Sequence, residues 1–106
     1  MRYLVSYDLH NHRDYTRIHS ELHRLGATKI LLSMWGIQSL MSVIQLRNHL
    51  QRFVDHDDTI LVHVAPPSLN GWASYNLSQP AVVWFGTSYA PSSPGVLGFG
   101  LAGYSR

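Results

Sequence analysis

Apolar residues crowd the first strand-length of the chain and then switch to helical spacing. Arg2–Asp8 (RYLVSYD) is rich in β-branched and aromatic residues and predicts a strand, dense enough in apolar positions to be a central one. His10–Arg13 is polar and reads as a loop. Tyr15, Ile18, Leu22 and Leu25 then recur three and four apart and predict a helix over Tyr15–Leu25, with Arg17, Glu21 and Arg24 off the apolar stripe. Asp14 stands where an N-cap carboxylate would accept the unpaired first-turn N–H groups, and Gly26 where a left-handed stop is expected.

Two short apolar runs, Ala27–Leu32 and Met34–Gln38, follow around Ser33 and predict a tight hairpin. Ser42 and Gln45 have the spacing of a capping box, with Met41 and Leu46 placed for the accompanying hydrophobic staple. Val43, Leu46, Leu50 and Phe53 then form a second helical stripe, expected to be buried, while Arg47, Gln51 and Arg52 face water. A polar turn, Asp55–Asp58, leads into Thr59–Val64 (TILVHV), a fourth strand. The order β-α-β-β-α-β predicts an α+β fold, a ferredoxin-like βαββαβ unit over residues 1–64 with an antiparallel sheet ordered 4-1-3-2.

Composition changes sharply after that point. All six acidic and seven of the eight basic residues lie between Arg2 and Asp58, and none occurs from Thr59 to Ser105. Residues 65–106 hold all five prolines and six of the eight glycines, and Pro66-Pro67 marks the boundary. This uncharged C-terminal extension has two candidate strands, Ala81–Phe85 and Gly95–Tyr104, expected to pack on the sheet or on a second subunit. No apolar run approaches the roughly 20 residues that span a bilayer, so no membrane association is expected. Met1 leads into a strand without a basic-then-apolar leader, and cysteine is absent, which together suit a cytoplasmic protein.

The predicted topology gathers chemistry at one end of the sheet. The first strand ends where the fourth begins, so Asp8, His10, His12, Asp55, His56, Asp57 and Asp58 converge although far apart in sequence. Carboxylates so grouped suit a hard divalent ion, magnesium or manganese, which polarises a phosphodiester and activates water. The competing reading makes them solvated turn and capping residues. His10 with His12, and His19 with His23 four apart on a helix, have spacings that zinc or copper accepts, but neither pair completes a ligand set. Tyr3, Tyr7 and Trp35 are placed either to stack on bases or to fill the core. Neither a glycine-rich phosphate loop nor a serine elbow is present.

Tyr7-Asp8 ending the first strand, Arg17 and Leu25-Gly26 in the helix, Ser33-Met34-Trp35 at the hairpin and Asp57-Asp58-Thr59-Ile60-Leu61-Val62 at the last strand together resemble the CRISPR-associated Cas-two family. The similarity is nearest to its stand-alone bacterial relatives labelled SinR-like, and covers residues 2–64. It implies a homodimer of ferredoxin-like protomers in which a strand after the core pairs with the partner's sheet. It also implies a metal-dependent nuclease whose aspartate maps onto Asp8, or a structural dimer that binds DNA and bridges protein partners. The uncharged tail and modest basic charge depart from that family.

Two functions are therefore expected from the sequence. In the first, Asp8 is the catalytic metal ligand of an endonuclease, Asp57 or Asp58 assists, and Arg13 and Arg17 hold the phosphate of DNA or RNA. In the second, the chain is a non-catalytic dimer that binds nucleic acid or a protein partner, and Asp8 only caps a loop.

Overall fold

The computed structural model describes residues 1–10, 15–67 and 69–87, in two compact units, Met1–Ala65 and Pro66–Arg106. The first unit contains β1 (Arg2–Asp8), α1 (Thr16–Arg24), β2 (Thr28–Leu31), β3 (Met34–Gln38), α2 (Val43–Leu50) and β4 (Thr59–Val64). The four strands form one antiparallel sheet in the order β2-β3-β1-β4, a mixed α+β arrangement.

β1 is central because it pairs on both sides, from Arg2↔Gln38 to Ser6↔Met34 with β3 and from Tyr3↔Val64 to Asp8↔Thr59 with β4. Side chains alternate across a strand, and Tyr3, Val5 and Tyr7 point into the core that also contains Ile18 and Leu22 of α1, Leu46 and Leu50 of α2, and Trp35 and Ile37 of β3. Val5, Ile18, Leu22, Leu46 and Leu50 are fully buried. Truncating any one of these leucines to alanine would cost roughly 2–5 kcal/mol.

Local signals set the ends of the helices. Gly26 has φ +79°, and two hydrogen bonds, Gly26 N–H to His23 O and Ala27 N–H to Leu22 O, both 3.0 Å, close α1 as a Schellman motif. A side chain at Gly26 would have room but would strain this left-handed backbone. At the other end, Tyr15 occupies the cap position with no side-chain cap bond, and the capping role expected of Asp14 lies outside the described residues. The capping box of α2 is complete: Ser42 Oγ accepts from Gln45 N–H at 3.1 Å, and Gln45 Oε1 accepts from Ser42 N–H at 2.9 Å.

Three expectations are corrected. Val43 is exposed, and α2 instead buries only Leu46 and Leu50, with Phe53 half-buried in the following 3₁₀ turn, Gln51–Phe53. Ala81–Phe85 is not a strand: it lies in α3 (Gln79–Thr87), in the second unit. Ser78 Oγ accepts from Ala81 N–H at 3.4 Å, and Pro80 stands in the first turn, where no intrahelical N–H is needed, so capping outweighs the strand propensity of Val82 and Val83. In the same unit the Trp72 and Phe85 rings stack at 4.6 Å, and Gly71 lies where a Cβ would come within 2.7 Å of the Pro66 ring. The strand expected over Gly95–Tyr104 lies outside the described residues.

The third correction is Glu21, which leaves the solvent and becomes a buried charge, 6% exposed. Arg24 donates to it from Nε at 2.8 Å and from Nη2, and His49 Nε2 of α2 donates to the same Oε2. One carboxylate thereby pins α1 to α2. The Arg24 guanidinium, against the opposing cost of burial, holds the Glu21 carboxyl at about 2, well below its ordinary 4.5. A carboxyl depressed on folding stabilises the fold at every pH above 4.5, and that contribution fades as pH falls from 4.5 through about 2. Glu21→Gln should cost about 1–2 kcal/mol near neutral pH, since Arg24 is largely exposed. The difference in melting temperature between parent and variant should shrink on acidification to about pH 2, as thermal unfolding followed by circular dichroism would show.

Candidate functional site

The end of the sheet where β1 stops and β4 starts is built by backbone pairing. Asp8 faces Thr59 across the ladder, and Tyr7 N–H reaches Ser33 O at 3.1 Å, bringing the hairpin turn to the same end. Asp8, His10 and the Asp55–Asp58 turn meet there. His12 and Arg13 lie outside the described residues.

What the carboxylates do at this end differs from one to the next. Asp58 Oδ1 accepts His10 N–H and Oδ2 accepts Asp55 N–H, both at 2.7 Å, while Asp58 N–H returns to Asp55 O at 3.0 Å. The side chain thus ties the loop after β1 to the turn before β4, and each of its oxygens already has a donor. Charged acceptors on backbone N–H groups form strong bonds. The Asp8 side chain, in contrast, is exposed at the end of β1. Its side chain lies on the same face as Thr59, and strand alternation puts the neighbouring Ile60 on the opposite, helix-covered face. Asp58 belongs with Ile60: both line a cleft of about 590 Å³ bounded by Arg47, Gln51, Asp55 and His56. Asp57 is exposed in the turn. Among the described residues, no three His, Asp or Glu side chains stand together as a ligand set for a metal.

Arg17 is held in place at this end. Its Nη2 donates to Arg52 O at 2.8 Å, and its Nη1 lies 3.9 Å from Asp55 Oδ1. The side chain is still 60% exposed, so the pair with Asp55 contributes little to stability. What the contact supplies is position: α1, the 3₁₀ turn after α2 and the Asp55 turn are linked through one guanidinium.

The aromatic candidates are core residues. Tyr3, Tyr7 and Trp35 are 3%, 4% and 1% exposed, too buried to stack on a base. Trp35 Nε1–H donates to Tyr7 Oη at 2.8 Å, and burial pushes the Tyr7 phenol up to about 12. The helix histidines pack on this pair, His19 and His23 lying 5.2 and 4.9 Å from the Trp35 ring. Burial, then Lys29 and His23, lower the His19 pKa below the usual imidazole range. The Glu21–His49 contact was missed from sequence because a lone Glu between stripe positions carries no spacing that announces burial.

No family model matches the chain. Among the described residues no helix is long and apolar enough to cross a membrane.

Asp58→Ala leaves two loop N–H groups without their acceptor. It should lower stability by about 1–3 kcal/mol and speed amide exchange at His10 and Asp55, measurable by hydrogen-exchange NMR. Asp8→Ala should leave both unchanged.

Proposed function

We propose that residues 1–65 are a ferredoxin-like protomer of a homodimeric nucleic-acid-binding protein of the Cas-two-like kind, with Arg17 as a phosphate contact. The observation that carries this reading is the setting of Arg17, whose exposed guanidinium is fixed by a backbone carbonyl beside exposed Arg52. A planar fork held in advance suits phosphate oxygens, because less rotamer freedom is lost on contact. The ferredoxin-like reading is supported by helices that follow β1 and β3 and by a sheet in which β1 and β3 are the inner strands.

Binding is favoured over metal-dependent cleavage by the use made of the carboxylates. Asp58, expected to assist Asp8 at magnesium or manganese, has both oxygens engaged by backbone donors. Asp8 and the Asp58–Ile60 cleft belong to opposite faces of the sheet end. The described residues of one protomer therefore do not fit a divalent ion. A second reading, an endonuclease, is favoured by one observation: Asp8 is an exposed carboxylate at the end of the central strand. Such a site would need Asp8 of a second protomer.

The test is a fluorescence-anisotropy titration of labelled single- and double-stranded DNA and RNA oligonucleotides, at two salt concentrations, beside a cleavage assay with magnesium, manganese or chelator. Binding that weakens with salt and falls about tenfold in Arg17→Ala, roughly the loss of one charge-assisted contact, is the expected result. Affinity unchanged in Arg17→Ala would sink the binding reading. Metal-dependent cleavage that vanishes in Asp8→Ala would transfer the function to the endonuclease.

A further inference from the structure

The Glu21 carboxylate is satisfied at both oxygens by Arg24, through Nε and Nη2, before His49 reaches it. His49 Nε2 then adds a third donor, at Oε2. With its carboxyl held at about 2, Glu21 is ionised at neutral pH. An imidazole that gives one N–H to a fixed carboxylate is held in one tautomer and one orientation, and its second nitrogen keeps a lone pair. In His49 that second nitrogen is Nδ1. It has no hydrogen-bond partner among the described residues. Nor is it a buried orphan, as Nε2 of His19 is. The His49 side chain is 21% exposed, and Nδ1 opens to water.

Cations flank this imidazole. Arg17 and Arg24 stand four residues before and three after Glu21 on α1, and positions so spaced share one face of a helix. Both guanidinium side chains are more than half exposed. Arg52, also exposed, follows His49 by three residues, and its carbonyl accepts from Arg17 Nη2. An oriented base among exposed guanidinium groups suits reaction at a phosphodiester, where arginine stabilises the charge that develops on the phosphate oxygens.

The nucleophile has to arrive with the substrate. No side-chain hydroxyl of the described residues bonds His49 Nδ1, and the chain has no cysteine. RNA carries a nucleophile of its own beside each phosphate, the ribose 2′-hydroxyl.

We propose that His49 is the general base of a metal-independent ribonuclease, with Glu21 as its positioning residue. The inference rests on the phosphate contact proposed for Arg17 and adds a reaction to it. His49 Nδ1 takes the proton of a 2′-hydroxyl, and the 2′-oxygen attacks the adjacent phosphorus. The bond from phosphorus to the 5′-oxygen breaks, and that oxygen leaves with a proton from water. The hydroxide so formed takes the proton back from the imidazolium. One strand then ends in a 2′,3′-cyclic phosphate and the other begins with a 5′-hydroxyl.

The test incubates the full chain with labelled single-stranded RNA in excess chelator, beside the same sequence as DNA and as 2′-O-methyl RNA. Binding of each is followed by fluorescence anisotropy. The expected result is cleavage of the RNA alone, with cyclic phosphate ends by mass spectrometry, while the 2′-O-methyl strand is bound and intact. His49→Gln retains an N–H for Glu21 but supplies no base. It should lower kcat about 10²–10⁴-fold, with KM and the circular dichroism spectrum unchanged. Glu21→Gln should lower kcat by less, again at constant KM, whereas a purely structural Glu21 would leave the kcat of the folded protein unaltered. RNA that is bound yet intact in chelator overturns the ribonuclease and leaves the binding reading standing. RNA that is not bound overturns both. Cleavage that continues at the parent rate in His49→Gln overturns the assignment to this pair.

Discussion

β1 serves two neighbours, and the phase in which it does so fixes the geometry of the first unit. Met1 and Tyr7 exchange backbone groups with the β3 side, and Arg2 with the β4 side. Because hydrogen-bonding direction and side-chain direction both have period two, this settles several matters together. Tyr3, Val5 and Tyr7 are committed to the helices, Asp8 ends on the other face, and the outward backbone groups of β4 fall on three β-branched residues. A slip of one residue would exchange all of these at once.

Acidic residues in this chain do structural work that their exposure in the linear sequence conceals. Glu21 joins two helices through three donors, and Asp58 joins two loops through two N–H groups. A buried charge is tolerated only when it is paired and its lone pairs are occupied, and Glu21 meets that condition. The arginines nearby serve in two ways. Both are largely exposed, but Arg24 is paired twice with the Glu21 carboxylate, whereas Arg17 is positioned chiefly by a backbone carbonyl.

Much of the first unit was legible because its signals are local. The Ile18–Leu22 stripe, the Gly26 stop and the Ser42–Gln45 box are decided within a turn of helix, and each is found where the sequence placed it. The meeting of Asp8 with the Asp55–Asp58 turn was legible from strand order. What was not legible depends on contacts distant in sequence. Glu21 is buried because His49, twenty-eight residues away, comes to meet it. Val43 is exposed although Met41 before it and Leu46 after it pack on the core. α3 was misread because the apolar run Ala81–Phe85 has no internal period, and its helix is set by Ser78 and Pro80 outside that run. The division of labour between Asp8 and Asp58 required side-chain direction, which strand order alone does not contain. Arg13 and His12 belong to residues the structure does not describe.

The Tyr7–Trp35 pair has an optical consequence. Trp35 is the sole indole of the first unit, since the other two, Trp72 and Trp84, belong to the second. A chain with Trp72 and Trp84 replaced by Phe would emit from a single dry chromophore, hydrogen-bonded to a phenol and flanked by two imidazoles. Its emission would be blue-shifted while the unit is folded and would move to the red when water reaches the ring.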